Sequence, residues 1–153
     1  MYDAVLIVHN LLRWLTLALV GYAFLRAFRG WMGSRQVGLA DGASARFATI
    51  AADVQFTVGL LLYVFWSPNV RSAFQDFGAA MKNPELRYFA LEHALTMVLA
   101  VVCVHVGRVV ARKAKGDAAR HRRTAIWFGI ALLLMIARTP WPWMAIARPW
   151  FRM

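Results

Sequence analysis

Apolar residues run along this chain in four long blocks, not in alternation. They cover about residues 4–28, 47–66, 88–111 and 124–139. Unbroken runs of this length are too long for single strands and predict helices. A helix of roughly 20 residues crosses about 30 Å of hydrocarbon, which the first three blocks satisfy. The fourth is shorter. Trp127, Trp141 and Trp143 stand near its ends, where aromatic rings suit the membrane–water interface, and Pro140 and Pro142 stop it. Inside a bilayer only helices or a closed barrel satisfy the backbone, and four segments are too few for a barrel. The expected fold is all-α: an integral membrane four-helix bundle running up-down-up-down. Residues 1–153 then form a single transmembrane domain, with a loop at 67–87 and an interfacial tail at 140–153.

The polar breaks set the orientation. The first carries Arg29, Arg35 and Arg46 against Asp41. The third carries Arg112, Lys113, Lys115, Arg120, Arg122 and Arg123 against Asp117. The second is mixed, with Arg71, Lys82 and Arg87 offset by Asp76 and Glu85. Positive loops stay cytoplasmic, which places the second loop and both termini outside. Phe74, Phe77 and Met81 have the near-helical spacing of a short amphipathic helix lying on the outer surface. The flank Met1-Tyr2-Asp3 lacks the basic start of a signal peptide, so the first helix is expected to be retained.

Composition strengthens this picture. Hydrophobic residues make up 61% of the 153 residues and charged residues only 16%. So small a chain cannot bury that much apolar surface from water by itself. A net charge of +11 raises the question of nucleic acid. The clustering of that charge between apolar blocks answers it as a topology signal, and no nucleic-acid partner is expected. The single cysteine, Cys103, excludes an internal disulfide, and no zinc-type spacing is present.

Ionisable residues inside a span are costly, so each is a functional candidate. They are His9 and Arg13 in the first block, Asp53 in the second, and Glu92, His93 and His105 in the third. His9 and His93 each lie about five residues, roughly 8 Å, into helices that run the same way. Two histidines at equal depth can supply two axial imidazoles to one b-type haem. Another metal, a hydrogen-bonded pair or no cofactor are the alternatives. Among them is a non-haem metal held by His9, Glu92 and His93. Arg13 needs an anionic partner, with Glu92 and a haem propionate as candidates. Arg87 and Arg138 near the outer boundary are further propionate candidates, or interface anchors. Trp14 is a candidate to pack on a ring cofactor, or simply packs. His105 stands about 120° out of register with His93 on a helix, so one haem is expected, not two. His105 and Asp53 share the inner depth and are expected to pair as a buried polar clasp near Gln55, or to form a proton path. His121 is expected in the solvated basic loop.

The segments His9-Asn10-Leu11-Leu12-Arg13-Trp14, Gly59-Leu60-Leu61-Leu62-Tyr63, Arg87-Tyr88-Phe89-Ala90-Leu91-Glu92-His93 and Pro140-Trp141-Pro142 resemble a group of small four-helix bacterial membrane proteins labelled cytochrome b. More loosely, the layout is similar to cytochrome b561-like electron carriers. The resemblance implies haem b, electron transfer and contact with quinone, with axial ligation carried onto His9 and His93. Asp53 departs from the group, where histidine is frequent, and this puts a ligand role there in doubt. The expected function is a membrane b-type cytochrome exchanging electrons with quinone or an external carrier. The alternative is a cofactor-free accessory subunit of a larger respiratory or photosynthetic membrane complex. The lipid bilayer, such a complex and a homodimer are the expected partners.

Overall fold

A computed structural model describes residues 1–151. Arg152 and Met153, the end of the expected tail, lie outside the described residues. Four long helices dominate: α1 (Tyr2–Met32), α2 (Leu39–Leu61), α6 (His93–Arg112) and α7 (Asp117–Ala137). Three short helices, α3 (Pro68–Gln75), α4 (Phe77–Lys82) and α5 (Pro84–Arg87), connect α2 to α6. No strand occurs among the described residues. α1 packs along α2 and α7, and α6 along α7 and more thinly against α2, so the four contacts close a ring.

The second loop is the region where sequence and structure differ most. One amphipathic helix was expected there, and three short ones form. Ser67, Asp76 and Asn83 each cap one: their side chains accept from Val70, Ala79, and both Glu85 and Leu86. Pro68 and Pro84 sit at the first helical position, where a missing N–H costs nothing. Two helices also begin earlier than the apolar blocks. α2 starts at Leu39, with Asp41 accepting from the Gly38 N–H at 2.9 Å and pairing with Arg26 and Arg35. α7 starts at Asp117 and so takes Arg120, Arg122 and Arg123 into its first turns.

The core explains how the helices approach. Its buried residues are mostly small, including Ala23, Ala48, Ala52, Ala100 and Ala131, with Val20, Val104 and Phe128. Large apolar side chains such as Leu11, Leu25, Leu95, Leu99 and Leu133 face outward. Water would penalise that arrangement. Lipid does not, because helices there associate through close packing of small residues. Tyr2–Met32, Leu39–Trp66 and Pro84–Arg112 are each long and apolar enough to cross a membrane. α7 is not among these three. Past its charged turns, roughly 14 residues, about 21 Å of helix, remain.

Candidate functional site

Two π-turns flank one end of the long helices. Leu62–Trp66 ends α2, and Tyr88–Glu92 leads into α6. Such turns carry an extra residue per turn and are frequent at functional sites. Residues of both, Leu62, Tyr63, Phe89, Ala90 and Leu91, line a cavity of about 500 Å³. This lies within the range of ~300–1,000 Å³ that holds small molecules and cofactors. His9, Arg13, Gln55, His93 and Arg148 line it as well.

His93 is oriented by the end of α7. α7 ends at Ala137, and no backbone N–H among the described residues donates to the Arg138 carbonyl just beyond it. That carbonyl instead accepts from the Tyr88 hydroxyl and from His93 Nδ1, both at 2.7 Å. A carbonyl only accepts, so Nδ1 carries the proton and Nε2 of a neutral imidazole keeps its lone pair. This is the hydrogen bond that commonly fixes a metal-ligating histidine. Pro140 has no N–H to offer the Ile136 carbonyl, which accepts from the Thr139 N–H at 3.4 Å and from the Trp141 indole at 2.8 Å.

His9 is fixed differently. Gln55 donates to the His9 carbonyl at 3.1 Å and its amide nitrogen stands 3.4 Å from His9 Nε2. The ring lies over Gly59, where a Cβ would come within 2.9 Å of His9 Cε1. His9 Nδ1, Arg13 Nε and Gln55 Oε1 are buried without a hydrogen-bond partner. All three belong to cavity-lining residues. Such atoms call for partners other than the surrounding protein atoms, and His121 Nε2, outside the cavity, is unpartnered as well.

The other expected site residues fall as follows. Arg13 lines the cavity, donates to Asn10 Oδ1 at 3.3 Å and to the Trp150 carbonyl at 2.9 Å, and has no ion pair among the described residues. Glu92 is not its partner. That carboxylate binds Arg87 at 2.7 Å and Arg138 at 3.1 Å. Those two arginines are turned to Glu92 and are absent from the cavity lining. Trp14 does not face the cavity either. It stacks on Trp150 at 5.6 Å and donates to its carbonyl at 3.0 Å. The tail therefore folds back over α1. Arg148, which sequence reasoning missed, comes with it into the cavity lining and pairs with Glu85 at 2.6 Å.

Three expectations are corrected at the opposite end. Asp53 and His105 do pair, at 2.7 Å, but they are 45% and 51% exposed, not buried. Gln55 belongs to His9 and not to that clasp. His121 is not solvated: it is 2% exposed and packs over Gly30. Among the described residues no group of three or more His, Cys, Asp and Glu side chains gathers as a metal site would require. The three-ligand site at His9, Glu92 and His93 fails because Glu92 is engaged by its arginines. No family model, curated protein or solved structure matches the chain.

Proposed function

We propose that this protein is a membrane-bound b-type cytochrome of the bacterial inner membrane, crossing the bilayer four times as an up-down-up-down bundle with both termini outside. In this reading α7 is the fourth crossing, shortened to its apolar turns and anchored by Trp141 and Trp143. The basic first and third connections stay cytoplasmic. One haem is held between His9 and His93.

One observation carries the reading: two imidazoles from different helices line the same cavity, and one has its Nδ1 committed to a carbonyl. The residues present fit a planar macrocycle. Ala52, Ala90 and Ala94 add little bulk to the cavity lining, and Arg13 Nε is buried there without a partner. His93 and His9 would bind iron through Nε2, with His9 exchanging its contact to Gln55. Arg13 would meet an acidic edge of the ligand. When bound, haem supplies one-electron transfer at a potential set by its axial ligands and burial. The chain's own part is to orient His93 through Arg138, to bring Arg13 to the cavity, and to exclude water with the Trp-rich tail. Quinone or an external carrier is the exchange partner.

The test is an optical spectrum of detergent-purified protein, oxidised and dithionite-reduced, with pyridine haemochrome quantitation. Sharp b-type bands at about one haem per chain are expected. A colourless protein from cells supplied with haem overturns the reading and leaves the accessory subunit in its place.

A further inference from the structure

Arg13 brings to the cavity a charge that no acid there answers. Among the described residues no Asp or Glu lines the cavity. Glu85 holds Arg148, and Glu92 holds Arg87 and Arg138. Asp3, the nearest acid along α1, is ten residues and about 15 Å of helix from Arg13. His9 and His93 are neutral or positive, never negative. Of the two arginines in the lining, Arg148 is therefore neutralised and Arg13 is not. We propose that the cavity selects its occupant by a carboxylate set on Arg13, and that a neutral ring such as a quinone docks elsewhere. The inference rests on the reading of this cavity as the cofactor site, and it concerns the acid group and not the iron.

A guanidinium has five N–H groups, no acceptor and a proton it keeps at every ordinary pH, so its charge is fixed. Nη2 of Arg13 donates to Asn10 Oδ1 at 3.3 Å and to the Trp150 carbonyl at 2.9 Å, both neutral oxygens. Nε is buried with no partner. An arginine within a span is costly and gathers anions or carbonyls around it. The tail supplies a carbonyl, whose dipole does not cancel a full charge. The edge that Nε presents remains for an acceptor in the cavity.

A carboxylate there cancels the charge and satisfies the donor together, and such charge-assisted bonds are roughly twice as strong as neutral ones. The rest of the lining asks for an apolar body: Leu6, Leu17, Phe56, Met97, Val101 and Met135 surround it. The ligand class is thus an apolar ring compound with a free carboxylate, to which porphyrin acids belong. A quinone offers only carbonyl oxygens, as the tail already does.

The experiment uses the full chain in nanodiscs, with protein-free discs as the blank. The probes are metal-free protoporphyrin IX and its dimethyl ester, which share one ring and hold no iron. Binding is read as quenching of tryptophan emission, Trp14 lying 5.0 Å from the Arg13 guanidinium. The acid is expected to bind about tenfold or more tighter than the ester, the worth of one hydrogen bond to a charged group. Arg13→Gln is expected to bring the two affinities together, and Arg13→Lys to restore most of the preference. Arg148→Gln is expected to keep the acid-to-ester ratio, whatever it does to affinity. Decylubiquinone in excess should not displace the acid. Equal affinities on the unmodified chain, no binding of the acid, or displacement by the quinone overturns the proposal. A preference that survives Arg13→Gln, or one lost with Arg148→Gln, does the same. The acid–ester comparison needs no variant and holds even if Arg13→Gln does not fold. The haem reading fails separately, because His9 and His93 cannot ligate a probe without iron. A colourless protein that still prefers the acid removes the haem and keeps the anchor.

Discussion

His9 and His93, at the end of the long helices where the tail folds back, face one cavity; His105 and His121, at the end where the basic connections lie, share nothing. His105 turns outward to Asp53, and His121 is packed over Gly30. Residue type does not separate these pairs. Backbone spacing does. At the first end two π-turns and two helix-stopping prolines loosen the regular helices and leave space between them. At the second, Ala23, Ala27, Ala48 and Gly30 let α1 approach its neighbours closely, and a histidine there is either filler or expelled to the surface. In this chain the cavity lies at the end where the helices are irregular.

The strongest way to break that comparison is to remove the histidines one at a time. His9→Ala and His93→Ala are each expected to abolish the b-type absorption of purified protein. His105→Ala is expected to keep about one haem per chain. Full haem in both cavity variants, or loss of haem with His105→Ala, would show that the two ends were assigned the wrong way round.

Next in size is the tight end itself. A Cβ on Gly30 would overlap the His121 ring. Gly30→Ala is expected to cost about 1–3 kcal/mol, typical of overpacking a dense core, read as a lower midpoint of thermal unfolding in detergent. Spectral properties of bound haem should be unchanged. Gly59→Ala reverses the pattern. There the added methyl presses on His9, so weaker haem retention is expected alongside any stability loss.

A finer test concerns the Arg138 carbonyl itself. Tyr88→Phe removes the hydroxyl that shares that oxygen with His93. A loss of about 0.5–1.5 kcal/mol, the worth of one hydrogen bond, is expected. Its specific sign is an altered axial-ligand signal in electron paramagnetic resonance of the oxidised protein. An unaltered signal would mean the Arg138 carbonyl does not orient the imidazole.

The smallest effect is expected from Glu92→Gln. Its ion pairs with Arg87 and Arg138 are partly exposed, and such pairs contribute about 0–1 kcal/mol. Haem content measured by haemochrome should not change, because neither arginine lines the cavity. A large loss of haem would bring Arg87 and Arg138 back as ligand contacts.

Much of this was legible in the order of residues. The helical class, three of the long apolar helices and the isolation of His9 and His93 as candidates follow from run length and from the cost of polar groups in lipid. Those are local or one-dimensional properties, and the sequence determines them outright. The prolines that follow the end of α7 are readable in the same way. What only the tertiary structure decided is which polar groups meet. Arg13 lost Glu92 to two nearer arginines, and Trp14 was taken by the tail. Arg148 reached the cavity lining from the far end of the chain, and Asp53 with His105 turned outward. Each of these outcomes depends on helix rotation and on the path of the tail. Residues far apart in sequence fix both by packing, and no spacing along the chain encodes that competition.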